Sequence, residues 1–121
     1  VQEMGQTATI PIAYKVRGQE HGMDAQKAMS VYRIVQESLN NVIRHAQAKH
    51  AWVELDFTDS EVLIQIRDDG KGFIVPANPA EFPEKGHFGL LGLQERAEII
   101  NAKLVILSTP GLGTIITLQV K

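Results

Sequence analysis

Two pairs of alternating segments, each joined by a turn, constrain the fold of this chain more than any other feature. Apolar and polar residues alternate over residues 51–57 and 62–67, and again over 103–108 and 114–120. Alternation with period two indicates strands, and the turn sequences between the members of each pair predict antiparallel hairpins. We therefore expect both hairpins to belong to one sheet.

A further alternating segment covers residues 7–16. Its apolar side comprises Ala8, Ile10, Ile12, Tyr14 and Val16. Pro11 cannot donate a hydrogen bond to a ladder, so we expect this strand to lie at a sheet edge.

Two segments have the helical period instead. The first covers residues 25–47, with Asp24 as the expected N-cap, and the second covers residues 90–101. The apolar stripe predicted for the first helix consists of Ala28, Val31, Val35, Leu39, Val42 and Ala46.

Residues 74–87 lack either period and contain three of the five prolines. Loops of this length in compact domains are often lids over functional sites. The element order is strand, helix, two strands, lid, helix, two strands. It predicts an α+β fold, a two-layer α/β sandwich in which helices cover one face of a mixed, mainly antiparallel sheet.

Composition excludes several classes of function. The 121 residues suit one domain, 1–121, and a net charge of -2 argues against nucleic-acid binding. The absence of cysteine excludes disulfides and thiolate sites, and no apolar run reaches the ~18 residues of a membrane span. Because the chain starts at Val1, we expect a piece of a longer protein, in a reducing compartment.

Four segments carry residues that could take part in chemistry. On the first helix, Ile34, Glu37, Asn41, Arg44 and His45 are expected to cluster opposite the apolar stripe. A carboxylate and a carboxamide one turn apart offer the hard oxygen ligands that Mg²⁺ accepts, and Arg44 and His45 could meet a polyphosphate. A solvated helix face is the alternative interpretation.

The second segment is Asp-Asp-Gly-Lys-Gly-Phe, residues 68–73, directly after a predicted strand. Its glycines allow a sharp turn and the close approach of a ligand, and Asp68 could accept a hydrogen bond from an adenine amino group. A plain turn or a calcium loop remains possible, although an EF-hand needs a helix–loop–helix frame.

The third segment, residues 86–93, reads Gly-His-Phe-Gly-Leu-Leu-Gly-Leu at the start of the second helix. Free backbone N–H groups at such a start can bind phosphate, and a hinge is the alternative. No Gly-Lys-Ser/Thr follows, so it is not a Walker A loop. Gly-Leu-Gly-Thr at residues 111–114 would by itself be a hairpin turn.

Together these motifs resemble the ATP-binding domain shared by gyrase, heat-shock chaperones, histidine kinases and mismatch-repair ATPases. Residues 32–46, YRIVQESLNNVIRHA, resemble two-component sensor histidine kinases of the nitrate/nitrite-sensor type. So do residues 86–90, GHFGL, leading into QERA at residues 94–97. The resemblance covers roughly residues 28–120. Two departures are small: Asn101 replaces a common glycine and could form a left-handed C-cap, and Leu93 replaces Met.

The resemblance implies roles for individual residues. Asn41 would coordinate Mg²⁺ on the ATP phosphates, with Glu37 as a metal-side and catalytic partner. Asp68 would bind the adenine amino group, supported by Thr114. Other residues implied to contact the nucleotide are Arg44, His45, Gly70, Gly72, Phe73, His87, Gly89, Leu90, Gly92 and Leu93.

The resemblance also implies partners. The family's phosphoacceptor histidine lies on a separate dimerising helical hairpin, and a response regulator acts downstream. A cytoplasmic domain with no direct membrane contact is implied, monomeric alone and dimeric in its parent. No histidine of this chain precedes an acidic residue. The alternatives are an anti-sigma-factor-type serine kinase and an ATP-gated binding module.

Overall fold

The computed structural model describes residues 10–19, 23–75 and 90–121, with the exception of the His45 side chain. The described residues form five strands and two α-helices. In chain order these are β1 Ile12–Arg17, α1 Ala25–Asn41, a π-helical turn Val42–Ala46, β2 Ala51–Phe57, β3 Val62–Asp68, α2 Leu90–Ile99, β4 Lys103–Thr109 and β5 Gly113–Val120.

The strands form one sheet in the order β1-β2-β3-β5-β4. β1 runs parallel to β2, and the other neighbouring pairs are antiparallel. Both predicted hairpins are confirmed, as is the edge position of β1. Because β5 lies between β3 and β4, the end of β3 lies beside the start of β5, with Asp68 paired to Thr114.

One face of the sheet carries the core, because alternate residues of the strands point to the same side. Both helices contribute to this core, and they also pack against each other. Its strand members are Val53, Phe57, Val62, Ile64, Ile66, Ile106, Ile116, Leu118 and Val120, and its helical members are Val31, Ile34, Leu90, Leu93 and Ala97. The fold is therefore the predicted α+β sandwich with helices over one face.

The buried side of α1 differs from the predicted stripe. Ile34, placed by the sequence on the polar face, is 0% exposed, and Ser38 is buried beside it, whereas Ala28 is exposed. The Ser38 hydroxyl donates a 2.7 Å hydrogen bond to the carbonyl of Ile34, so this polar side chain is buried without an unpaired group. The predicted stripe is confirmed in part, because Val31 and Val42 are buried and Val35 and Leu39 pack against the core, but the buried side also includes Ile34 and Ser38.

The first strand also differs from its prediction. It begins at Ile12, after Ile10 and Pro11, and residues 7–9 lie outside the described residues. Tyr14 and Val16 are 66% and 58% exposed although they lie on the apolar side. The alternation locates the strand, but an edge strand packs against only one neighbour and is less covered.

One cap of each helix agrees with the sequence, although the first helix, predicted to residue 47, becomes a π-helical turn after Asn41 and the second, predicted to residue 101, ends at Ile99. Asp24 caps α1 by accepting a 2.8 Å hydrogen bond from the Lys27 N–H. After α2, Asn101 adopts the left-handed conformation, with φ of 54°. The Ala102 N–H donates to the carbonyl of Ala97 and the Asn101 N–H to that of Glu98, the pattern of a Schellman C-cap.

Candidate functional site

The carboxylate of Asp68 lies at the junction of β3 and β5 and is only 6% exposed. Its Oδ1 accepts a 2.8 Å hydrogen bond from the Gly70 N–H, across the turn that follows β3. Burial raises the pKa of Asp68 above its ordinary value, and the neighbouring Asp69 charge adds to this. Backbone hydrogen bonds from Gly70 and Thr114 oppose the shift. Asp68 is thus a desolvated acceptor at the end of the sheet.

A hydroxyl pair supports this junction, and sequence reasoning missed one of its members. Ser108 Oγ accepts a 2.9 Å hydrogen bond from the Phe73 N–H and donates to the Gly113 carbonyl at 3.0 Å. It also lies 2.8 Å from Thr114 Oγ1, which then donates to it because the single Ser108 proton is already used. Sequence reasoning missed Ser108. The register of the predicted β4–β5 hairpin places Ser108 opposite Thr114, and this could have identified it.

Gly70 and Gly72 are needed for the packing of the protein against itself. A Cβ atom at Gly70 would lie 2.2 Å from the carbonyl oxygen of Ala46. At Gly72, where φ is 64°, it would lie 2.1 Å from that of Thr109. These two glycines therefore have a structural explanation that does not require a ligand.

The turn after β3 contacts the chain that leaves α1. The Lys71 N–H donates a 2.7 Å hydrogen bond to the Ala46 carbonyl, at the end of the π-helical turn. π-helical turns occur frequently at functional sites. The structure thus brings the Asp68 turn to the end of the helix that carries Glu37 and Asn41.

Asn41 holds the clearest unpaired group among the described residues. Its Nδ2 is buried and has no hydrogen-bond partner there, although Asn41 as a whole is only partly buried. A buried donor without a partner costs roughly 1–3 kcal/mol and needs an explanation. Glu37, one turn earlier, is also partly buried, and Arg44 is exposed.

Residues at the start of α2 differ in whether they face the core. Leu90 and Leu93 are buried in the core, so any contact of theirs with a ligand would use the backbone. At Gly92 a Cβ would meet no described residue within 4 Å. A glycine inside a helix is unfavourable relative to alanine, and packing against the described part of the chain gives no reason for it at this position. The candidates His87 and Gly89, and all but the first two residues of the predicted lid, lie outside the described residues.

Residues 26–121 match the family model described as histidine kinase-, DNA gyrase B- and HSP90-like ATPase. The chain belongs to this family. Curated relatives include an uncharacterized sensor-like histidine kinase of Chloroflexus aurantiacus, 41% identical over 92 residues, or 75% of this chain and 15% of that protein. The oxygen sensor histidine kinase NreB of Staphylococcus carnosus is 32% identical over 111 residues, or 92% of this chain and 31% of its own length. The chain therefore spans less than a third of these sensor kinases.

Solved structures of histidine kinases share the fold of this ATPase-family domain. The kinase AdeS of Acinetobacter baumannii aligns with a TM-score of 0.76 at 12% identity, over 99% of this chain and 58% of that chain. A blue-light activated histidine kinase of Erythrobacter litoralis aligns with a TM-score of 0.72 at 18% identity, over 98% of this chain and 41% of that one.

The oxygen ligands that this ATPase-family domain offers suit a magnesium ion whose remaining ligands come from the substrate. Glu37 and Asn41 offer hard oxygen atoms. The Asn41 Nδ2, which has no partner among the described residues, is a donor and calls for an acceptor such as a phosphate oxygen. Within the described ranges, no three His, Cys, Asp or Glu side chains are close enough to hold a metal alone. Mg²⁺ is commonly held by one or two protein groups together with substrate phosphates.

No helix in the described part of the chain is both long and apolar enough to cross a bilayer.

Proposed function

We propose that this domain binds Mg-ATP and supplies the γ-phosphoryl group for phosphorylation of a histidine on a separate dimerisation domain of the same parent protein. A response regulator would then receive the phosphoryl group. The buried carboxylate of Asp68 is the observation that carries the proposal. A buried carboxylate with a raised pKa is costly to keep ionised in an apo site, and a ligand that donates a hydrogen bond to it would offset that cost.

Asp68 would select the base. Its carboxylate would accept a hydrogen bond from the amino group of adenine, whereas guanine presents a carbonyl oxygen at that position. Two like acceptors facing each other leave a buried polar group unpaired, which is the strong form of discrimination between ligands. Thr114 would support this contact, because it is paired with Asp68 and its hydroxyl is fixed by Ser108.

Asn41 and Glu37 would hold the metal at the phosphate end. Bound Mg²⁺ would neutralise phosphate charge, the main requirement of phosphoryl transfer. Arg44 and the backbone at Gly92 are candidates for further phosphate contacts. Phosphoryl transfer needs mainly positioning and electrostatic stabilisation from the protein, so a site with few acid–base groups suits it.

The curated relatives favour a histidine kinase over the serine-kinase and binding-module alternatives, because the Chloroflexus and Staphylococcus proteins are both sensor histidine kinases by name. We propose that residues 1–121 form one cytoplasmic catalytic domain, monomeric alone, within a dimeric parent. Nucleic acid is not a proposed partner.

Calorimetric titration with ATP and GTP in the presence of Mg²⁺ tests the base contact. Asp68→Asn should weaken ATP binding by ~1.5–3 kcal/mol, the usual range for a hydrogen bond to a charged group, and should reduce the preference over GTP. Asp59→Asn, an exposed carboxylate in the β2–β3 turn, is the matched control and should bind like the parent. Unchanged ATP binding by the Asp68 variant would contradict the assignment.

A further inference from the structure

The carboxylate of Asp69 gathers three hydrogen bonds from the connection between α1 and β2. Its Oδ1 accepts from the backbone N–H groups of Lys49 and His50, at 2.8 and 2.9 Å. Its Oδ2 lies 2.9 Å from His50 Nδ1. The Asp69 N–H in turn donates to the His50 carbonyl, which extends the β2–β3 ladder by one residue pair.

These bonds hold a strained part of the chain. Gln47, just after the π-helical turn, has φ of 53°, a left-handed conformation that is unfavourable for a residue with a side chain. The residues between Gln47 and β2 therefore need external contacts to keep one conformation. Asp69 supplies them at Lys49 and His50, and Lys71 bonds to Ala46 just before.

Asp69 is ionised over the physiological range. The hydrogen bond from the His50 side chain, followed by that from the His50 backbone, lowers the pKa of Asp69 to about 2. An ionised carboxylate only accepts hydrogen bonds, so His50 Nδ1 carries the shared proton. Both side chains are substantially exposed, at 55% and 37%, and exposed pairs of this kind add little to stability. Their contribution is to geometry.

We propose that Asp69 is a positioning residue for the nucleotide site, and that it fixes the Asp68 turn relative to the end of α1 through Lys49 and His50. This inference rests on the proposed function. The turn carries the base contact, and α1 carries Asn41, so one carboxylate outside the site would set the distance between its two ends. Small losses of alignment in such sites have large effects on binding and reactivity.

The fluorescence of Trp52 can report on the contact between Asp69 and His50, called here the Asp69–His50 link. Trp52, its single tryptophan, stacks on His50 with ring centroids 5.9 Å apart, and the Arg67 guanidinium lies 4.8 Å from the Trp52 ring. Release of His50 from Asp69 would change the surroundings of this ring. Trp52 fluorescence therefore reports on the link without labelling.

The test compares Asp69→Ala, Asp69→Asn and His50→Gln in the 121-residue chain, with Asp59→Ala as the control for loss of an exposed carboxylate. Calorimetry gives the affinities for Mg-ATP and Mg-ADP, thermal unfolding gives stability, and Trp52 emission gives the state of the link. Asp69→Ala should weaken both nucleotides by the same factor, on the order of tenfold, because both share the base end. It should shift Trp52 emission while leaving the melting temperature close to that of the control.

Asp69→Asn should restore most of the affinity, since its amide oxygen can still accept from both backbone N–H groups. His50→Gln, which keeps those two bonds, should lose less affinity than Asp69→Ala. Asp69→Ala binding with parental affinity, or Asp69→Asn binding as weakly as Asp69→Ala, would overturn the positioning role while leaving the proposed function intact. Failure of the parent chain to bind Mg-ATP would overturn the proposed function and this inference with it.

Discussion

Asp68 combines burial with a charge that the apo protein stabilises poorly. Its pKa is raised, so the folded state favours the protonated form more than the unfolded chain does. The stability contributed by this group is fully present below the ordinary carboxyl pKa and is lost as pH rises through the raised value. At neutral pH the apo fold therefore retains an unfavourable carboxylate, the kind of conflict between stability and function found at binding sites.

Removal of the Asp68 charge should consequently stabilise the apo domain. We expect Asp68→Asn to melt at a higher temperature than the parent at neutral pH, because the desolvated charge is gone. The difference should shrink as pH falls below the ordinary carboxyl range, where the parent is protonated as well. Thermal unfolding of both apo proteins across pH measures this, and a gap that is constant with pH would contradict desolvation of the Asp68 charge as the cause.

The amide oxygen of Asn41, a hard ligand, leads to a prediction about magnesium. Asn41→Ala should abolish the extra thermal stabilisation that Mg²⁺ adds over ATP alone. The apo fold should persist, because the substitution removes a buried donor that has no partner among the described residues. Asn40→Ala, at the preceding helix position, is the matched control and should retain the Mg²⁺ effect. Equal Mg²⁺ effects in the two variants would remove Asn41 from the metal site.

At the scale of elements, two glycines near the candidate site should respond to alanine in opposite ways. Gly92→Ala should stabilise apo α2 by roughly 0.5–1 kcal/mol, because a Cβ fits there and alanine is the better helix former. Gly70→Ala should destabilise the fold, since its Cβ would meet the Ala46 carbonyl at 2.2 Å. Chemical denaturation of the apo variants measures both changes.

Nucleotide binding provides a second test of Gly92. Gly92→Ala should bind Mg-ATP more weakly despite its greater stability, if its open side serves the phosphates as proposed. Glu95→Ala, an exposed position on the same helix, serves as the control for a change in helix propensity alone. Gly92→Ala with full affinity would show that this glycine has no role in binding.

The hairpins could be predicted almost to the residue, because alternation and turn residues are local signals. The predicted strand 62–67 extends by Asp68, 103–108 by Thr109, and 114–120 begins at Gly113. The pairing of β3 with β5 and the parallel pairing of β1 with β2 join distant segments, and no local pattern specifies them. The burial of Ser38 on α1 was missed because its hydroxyl becomes acceptable in the core only through its bond to the Ile34 carbonyl.

Some residues of the candidate site could be predicted from the sequence, and others could not. Asp68 and Thr114 belong to motifs, and their pairing across β3 and β5 agrees with the support predicted for Asp68. Ser108 belongs to none, and Asp69 lies in the 68–73 motif without a predicted role, since the importance of both comes from contacts across strands and turns. The roles assigned to the site residues stay predictions until nucleotide binding is measured.

At the scale of the whole molecule, the domain should bind Mg-ATP and yet not phosphorylate itself. Transfer needs an acceptor held in line with the γ-phosphate, and none of the four histidines precedes an acidic residue as the family's acceptor does. Incubation with radiolabelled ATP, followed by tests of acid and base lability, measures any transfer. Acid-labile, base-stable label on the chain alone would contradict this division of roles.

Addition of the proposed phosphoacceptor hairpin as a separate chain should allow transfer to that hairpin. The reaction should be slow, because the encounter becomes bimolecular and loses the effective concentration that a covalent link provides. A hairpin whose acceptor histidine is replaced by glutamine is the control. Labelling of that control hairpin would place the acceptor elsewhere.

The central position of β5 has a consequence for how this protein is made. β5 is the last of the described strands but lies between β3 and β4, so until β5 has left the ribosome β4 has no partner and β3 is paired only with β2. The sheet can form from β1 to β3 during synthesis, but β4 cannot join it before β5, and the edge of β3 that will pair with β5 is exposed in the nascent chain. Ribosome-bound chains that stop before residue 113 should therefore remain sensitive to protease, and protection should come in a single late step.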